Sequence, residues 1–311
     1  MAVASPRAWV MATRPQTLPA AVAPVVVGCG VALALGVFAP AIASAALGGA
    51  VLIQVGTNLA NDYYDARQGA DTPDREGFTR VTAAGLIAPA AVRRAMAVCF
   101  ALATLVGVVL VYVGGWPIVV IGLASIAAGI GYTGGPYPLG YHGLGDVFVF
   151  VFFGLVAVAG TVYVQAVAPL AGSMPILPPP GTVPMIAVIA GVPVGALATA
   201  VLVINNIRDR REDAATGKRT LAVRLGRRFA VAEFVGLVGG AYLVVLAVAL
   251  WPPVSLWVAL PVLSLPWAIR LIGTVRAGTD GAVLNPALEA MGRLLAAFSV
   301  LLAVGLAVGG G

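Results

Sequence analysis

The sequence predicts an all-α polytopic membrane protein, and three observations carry that prediction. Of its 311 residues, 60% are hydrophobic and only 10% are charged, where a soluble domain carries about a quarter. The mean hydropathy is +1.01. Apolar runs of about 20 residues, the length that crosses a bilayer as a helix, recur along the whole chain. Together these exclude soluble, disordered and fibrous classes. The runs are continuous rather than alternating, which also excludes a transmembrane β-barrel.

Apolar length places nine candidate spans, at 17–37, 41–60, 93–113, 116–133, 145–168, 183–205, 229–250, 254–273 and 290–309. The first follows Arg7 and Arg14, as a secretory signal would. It is too long for a signal core and is followed by further spans, so it reads as the first membrane helix. Pro24, Gly28, Gly154, Gly160 and Pro193 fall inside spans. Membrane helices tolerate such residues where neighbours satisfy the freed backbone groups.

The basic residues test the span count independently. They lie in the amino-terminal tail (Arg7, Arg14), after span 2 (Arg67, Arg75, Arg80, Arg93, Arg94) and after span 6 (Arg208, Arg210, Arg211, Lys218, Arg219, Arg224, Arg227, Arg228). The last group, Arg270, Arg276 and Arg293, surrounds the connection after span 8, which completes the 18 Lys and Arg of the chain. With nine spans all of them fall on one face, and the positive-inside rule makes that face cytoplasmic. The amino terminus is then cytoplasmic. The net charge of +6 belongs to membrane topology; no nucleic-acid partner is expected, and the lipid bilayer is the expected surroundings. Trp116, Trp251 and Trp257 fall near the outer boundary, and Trp9 and Trp267 near the inner one, as an aromatic belt would place them.

The acidic residues carry the chemistry. They concentrate in two stretches at span ends, Asn58-Leu-Ala-Asn61-Asp62-Tyr-Tyr-Asp65 and Asn205-Asn206-Ile-Arg208-Asp209-Arg210-Arg211-Glu212-Asp213. If span 2 continues as a helix, Asn58, Asn61, Asp62 and Asp65 share an arc of about 100°; if span 6 does, Asn205, Asp209 and Asp213 share about 80°. Like-charged carboxylates at this spacing repel each other, so two such stripes on one face need a cation. Oxygen-only ligands suit Mg²⁺, which takes one or two carboxylates, waters and substrate phosphate oxygens. The interleaved Arg and Lys supply further phosphate contacts. The combination points to a Mg²⁺-bound diphosphate whose organic part is a lipid.

Other motifs are excluded. His142 is the only histidine, so there is no bis-His haem and no His-based metal cluster. Cys29 and Cys99 lie in apolar runs and read as buried small hydrophobes. Gly217-Lys218-Arg219-Thr220 lacks the upstream glycine of a P-loop and carries Arg219 where Ser or Thr belongs.

At these residues the chain resembles the UbiA superfamily of intramembrane aromatic prenyltransferases, and within it the branch that prenylates 1,4-dihydroxy-2-naphthoate. The matching stretches are Arg14-Pro-Gln-Thr-Leu-Pro19, Asn61-Asp-Tyr-Tyr-Asp65, Gly77-Phe-Thr-Arg80, Tyr132-Thr-Gly-Gly135, the run from Gly145 to Gly154, Asn205-Asn-Ile-Arg-Asp209 and the run from Gly217 to Gly226. The resemblance implies one domain over 1–311, a horseshoe of nine helices around a central cavity. Cytoplasmic connections at about 61–92 and 206–228 cap its active site. It implies that Asn61, Asp65, Asp209 and Asp213 bind Mg²⁺-diphosphate, with Asp62 as an extra ligand or an anchor for a nearby Arg. It further implies transfer of a polyprenyl group from polyprenyl diphosphate to 1,4-dihydroxy-2-naphthoate, with loss of CO₂ and diphosphate, giving demethylmenaquinone at the cytoplasmic face of the cell membrane. Where the superfamily often continues its first motif with a further aspartate, this chain has Gly69, with Asp71 two residues on.

Arg14, Arg67, Arg80, Lys218 and Arg219 are candidate diphosphate contacts. Asp146, an acid near the start of span 5, is a candidate for work beside the aromatic acceptor, since intramembrane acids are expensive and usually functional or paired. Tyr132, Tyr137 and Tyr141 are candidate acceptor contacts. Two other readings compete: the same chemistry on 4-hydroxybenzoate or homogentisate, and a secondary transporter. Transporters place ion ligands near the bilayer midplane on broken helices, whereas these carboxylates cluster at one surface.

Overall fold

The computed structural model describes residues 5–69, 76–252 and 254–309. Helices α1 (Pro6–Thr13) and α2 (Leu18–Ala34) are followed by α3 (Pro40–Arg67), α4 (Pro89–Gly114) and α5 (Trp116–Gly131). Next comes a composite span: α6 (Gly145–Val149), a π-helical segment (Phe150–Val156) and α7 (Ala157–Ala166). After it run α8 (Met185–Ala215) and α9 (Leu221–Ala249), then a 3-10 segment (Leu256–Ser264) leading into α10 (Leu265–Ala277), and α11 (Gly281–Gly309).

Among the described residues, eight helical segments are long and apolar enough to cross a membrane. The span predicted at 116–133 is the shorter apolar helix α5, of 16 residues. At 1.5 Å per residue it measures about 24 Å, short of a ~30 Å hydrocarbon layer. It starts abruptly because Gly115 adopts φ 65°, with Pro117 in its first turn.

Several helices outrun their predicted limits, all for one reason. Apolar length finds only the hydrocarbon-embedded part of a helix. Charged turns carry α3 on to Arg67 and α8 to Ala215, and α11 begins at Gly281 rather than near 290, through a stretch interrupted by Asn285, Pro286 and Glu289. The two acidic stretches therefore lie on continuous helix, as their periodicity requires.

Helix α8 is the spine of the bundle. It packs on α9, α11, α2 and the π-helical segment, and 72% of its most apolar window is buried against 22% for α4. The main core gathers around it from α2, α7, α9, α10 and α11, with Leu197, Ile204, Phe234, Leu288, Leu295 and Phe298 fully enclosed. Helices α3, α4 and α5 form a wing against α2. That wing closes on a second cluster (Leu59, Val81, Ile87, Val92, Phe100), which carries the acidic end of α3.

The π-helical segment meets α8 at backbone distance. A Cβ on Gly154 would lie 2.6 Å from the Gly195 Cα, and one on Gly195 would lie 2.7 Å from the Phe150 carbonyl oxygen. Small residues at such crossings supply the dispersion contact that holds membrane helices together. Gly154→Val is expected to force this crossing apart at a cost of about 3 kcal/mol, read as a lower melting temperature in detergent. Gly240→Ala, where a methyl meets nothing, should leave melting unchanged or slightly raised.

Candidate active site

The carboxylate of Asp65 is the centre of the polar end of the bundle. It sits in the last turns of α3 with 1% exposure. The Tyr141 hydroxyl donates to Oδ1 at 2.9 Å, Lys218 Nζ lies 3.2 Å from the same oxygen, and Arg80 Nη2 lies 3.5 Å from Oδ2. These partners come from three segments far apart in the chain. Lys218 Nζ also lies 4.8 Å from the centre of the Tyr141 ring, so cation, ring and carboxylate form one cluster.

Local chain geometry delivers Lys218 there. Helix α8 ends at Ala215, and Gly217 takes φ 82°, a conformation a side chain would resist. The reversal lets the Lys218 amide donate to the Asp213 carbonyl at 2.8 Å and the Arg219 amide to the Tyr141 carbonyl at 2.9 Å. Thr220 then caps α9. Arg219 thus docks the turn through its backbone, with its side chain exposed.

The second acidic stretch faces the same region. The carboxylates of Asp146, Asp213 and Asp65 all lie within electrostatic reach of the Tyr132 hydroxyl. Asp209 and Asp213 are each 8% exposed. Asp209 is gripped bidentately by Arg208, Nε to Oδ1 at 2.6 Å and Nη2 to Oδ2 at 2.8 Å.

The remaining candidates divide. Asn61 accepts a hydrogen bond from the Thr133 hydroxyl at 2.9 Å. Asp62 gives one oxygen to the Val81 amide (3.1 Å) and the other to the Thr82 amide (2.8 Å). It anchors the backbone of the first connection rather than an Arg side chain. Arg67 is exposed and folds back onto Tyr63, its Nη1 3.0 Å from the hydroxyl; its side chain is not brought to Asp65. Arg14 stands at the left-handed junction after α1, φ 49°. Asn58 fixes that junction by donating to the Thr13 carbonyl and the Thr17 hydroxyl. Tyr137 is 58% exposed and stacks on His142 at 3.6 Å, away from the cluster. Asp146 is 6% exposed, and its Oδ1 has no partner among the described residues. Asp71 lies outside the described residues.

Beneath this polar end lies a cavity of about 420 Å³, lined by α2, α3, α4, α5 and the composite span. Its wall is almost wholly apolar. Tyr132 is the one site candidate that lines it, with its hydroxyl so close to Gly145 that a Cβ there would lie 2.7 Å away.

Sequence reasoning missed Arg208, Asn285 and Glu76. Arg208, buried at 6% exposure, also donates to Asn205 (2.6 Å) and Asn285 (2.7 Å). Arg208 lies inside a quoted motif, yet nothing in its spacing separates a buried clamp from a topology charge. Asn285 and Glu76 carry no periodic signal at all.

Among the described residues, no three His, Cys, Asp or Glu side chains form a group able to hold a metal ion. Mg²⁺ takes oxygen ligands, drawing most of them from water and phosphate and one or two from carboxylates. The donors at hand (Asn61, Asp65, Asp209, Asp213) are all oxygen donors, and the donor chemistry fits.

A family model described as the UbiA prenyltransferase family matches residues 21–285. The chain belongs to that family. A 1,4-dihydroxy-2-naphthoate octaprenyltransferase of Mycobacterium tuberculosis is 38% identical over 301 residues, covering 97% of each chain. One of Escherichia coli is 38% identical, covering 91% of this chain and 89% of the relative. Among solved structures, the apo UbiA homolog from Aeropyrum pernix K1 matches at TM-score 0.66 and 16% identity, over 95% of this chain and 98% of that one. A UbiA homolog from Archaeoglobus fulgidus bound to DMAPP and Mg²⁺ matches at TM-score 0.56 and 15% identity, over 95% and 99%. The family and the apolar helices make this a multi-pass membrane protein.

Asp62→Ala would leave two buried amides unpaired and is expected to destabilise the first connection by about 3 kcal/mol. Limited proteolysis should show faster cleavage within 76–88, with Asp62→Asn intermediate.

Proposed function

We propose that this protein transfers a polyprenyl group from a polyprenyl diphosphate to 1,4-dihydroxy-2-naphthoate, releasing CO₂ and diphosphate and giving demethylmenaquinone. The observation that carries this reading is the buried Asp65 cluster, ringed by Lys218, Arg80 and Tyr141, opening over an apolar cavity. The names of the relatives support the acceptor, and the DMAPP and Mg²⁺ bound by the Archaeoglobus homolog support the donor class.

Asn61, Asp65, Asp209 and Asp213 would hold Mg²⁺, with Asp62 the weaker candidate because backbone amides occupy both its oxygens. When bound, the ion would neutralise charge on the diphosphate leaving group. Lys218 and Arg80 exchange the Asp65 carboxylate for phosphate oxygens, which favours departure of the diphosphate from the allylic C1. The apolar cavity shelters the hydrocarbon and keeps water from the electron-poor C1. The electron-rich ring forms the new C–C bond at the carbon bearing the carboxylate, and loss of CO₂ returns the electron pair to the ring. Tyr132, which lines the cavity, and Asp146 would face the ring. Tyr141 serves the diphosphate end through Asp65, and the exposed Arg67, Arg219 and Tyr137 are assigned to the surface. On this reading the site faces the cytoplasm from the cell membrane.

Asp65→Asn and Asp209→Ala are each expected to lower turnover by about 100-fold or more, measured with radiolabelled prenyl diphosphate in membranes. Comparable turnover in either would remove the metal assignment. Thorough chelation with EDTA should stop the reaction and Mg²⁺ should restore it; persistent activity would count against the site.

A further inference from the structure

The last helix reaches the acidic motif of α8 through an unbroken chain of hydrogen bonds. At the start of α11, the Gly281 amide donates to Glu76 Oε2 at 2.8 Å. A Cβ on Gly281 would lie 2.4 Å from the Glu76 carbonyl oxygen, so only glycine admits this contact. One turn on, Asn285 Nδ2 donates to that carbonyl at 3.0 Å, and Asn285 Oδ1 accepts from Arg208 Nη1 at 2.7 Å. The two bonds fix the amide orientation, because the carbonyl can only accept and the guanidinium can only donate. Arg208 then holds both oxygens of Asp209, while Nη2 also donates to Asn205 and the guanidinium lies 5.6 Å from the Phe78 ring centre.

This arrangement poses a conflict for ligand binding. Asp209 gives both oxygens to Arg208, yet a ligand of Mg²⁺-diphosphate must turn at least one of them to the ion. Either the guanidinium moves or the carboxylate does. Arg208 is held at Nη1 by Asn285 and at Nη2 by Asn205, and is backed by Phe78. The carboxylate can turn about its Cβ–Cγ bond without displacing the guanidinium, whereas the guanidinium leaves only by breaking its bonds to Asn285 and Asn205.

We propose that Asn285 is a positioning residue for metal binding. It pins Arg208 so that Asp209 rotates one oxygen toward the ion while the other stays on the guanidinium. Without the pin, Arg208 follows the carboxylate and competes with the ion for it. This rests on the proposed function, and adds to it a residue of the last helix that none of the acidic motifs contains.

The test measures Mn²⁺ binding by electron paramagnetic resonance in the detergent-purified full chain, with inorganic diphosphate as the companion anion. Asn285→Ala is expected to weaken Mn²⁺ binding by about 10- to 100-fold, the usual cost of losing an outer-sphere partner. Asn285→Asp keeps an acceptor for Arg208 but loses the donor to Glu76, and should bind Mn²⁺ within about threefold of the parent if pinning Arg208 is what matters. A purely structural role would lower the melting temperature of both variants and leave Mn²⁺ affinity unchanged. Unchanged affinity in Asn285→Ala overturns the proposal, and so does a tenfold loss in Asn285→Asp. Should the alanine variant not fold, Asn285→Leu, of similar volume but without an acceptor for Arg208, takes its place, and unchanged affinity in it overturns the proposal equally. Absence of any Mn²⁺–diphosphate binding in the unmodified protein overturns the proposed function together with this inference, which separates the two failures.

Discussion

A single buried charge organises the polar end of this protein. Asp65 has lost almost all contact with water, and a carboxylate in that position survives only if it is paired and hydrogen-bonded. The partners available are Arg80 from the first connection, Tyr141 from the segment between α5 and α6, and Lys218 from the turn after α8. Satisfying one side chain therefore forces three distant pieces of chain to converge. The same requirement explains why Gly217 bends the chain back and why Arg219 docks on Tyr141 through its backbone. Such a cluster is marginal as a source of stability, because desolvation offsets most of its attraction. It is well suited to exchange, since a diphosphate and a divalent ion offer new partners to both halves at once.

Around this centre the polar residues of α3 do separate jobs, although they share one face. Asn58 ties down the amino-terminal junction beside Arg14, Asp62 holds the Val81 and Thr82 amides, and Asp65 takes the cations. Each is set by what lies opposite at its height along the helix. A common arc is necessary for a ligand stripe, but it does not make every member a ligand. The α8 stripe shows the same division. Asn205 faces Arg208 as Asp209 does, so a residue that periodicity groups with the ligands acts on a neighbour of one.

What the sequence could convey follows from this difference. Apolar length located the eight long apolar segments found among the described residues, because hydrocarbon thickness imposes a one-dimensional rule, and it counted the 16-residue α5 as a ninth span. It missed the charged extensions of α3, α8 and α11, since those turns are governed by tertiary contacts beyond the bilayer. The acidic stretches were legible because repeated oxygen ligands at helical spacing are costly unless used. Arg208 was not separable from the other basic residues, as a clamp and a topology charge look identical in one dimension. Asn285 meets Arg208 only because α11 packs beside α8, and meets Glu76 only because the first connection reaches the start of α11. The π-helical stretch at Phe150–Val156 also had no local signature; its glycine becomes informative only against Gly191 and Gly195.

The relation between cavity and cluster constrains where a reaction can occur. The cavity wall is nearly all hydrocarbon, and neither Asp65 nor the α8 carboxylates belong to it. On the proposed reading a lipid diphosphate would lie across the boundary, its tail among apolar side chains and its head among Lys218, Arg80 and the acidic helix ends. Its C1, where head joins tail, would fall at the boundary itself. Tyr132 marks that level, since it lines the cavity and feels the charge of Asp65, Asp146 and Asp213. Gly140 and Gly145 press against its ring and hydroxyl, where a Cβ on either would come within 3 Å, so the ring is held in place. Asp146 Oδ1 has no partner among the described residues, and on the proposed reading it would accept from an incoming aromatic hydroxyl at the height of C1. On that reading an acceptor bound deeper would meet a wall that is mostly hydrocarbon, broken by Gln54 and Thr57, and one bound further out would meet the diphosphate before the carbon it has to attack.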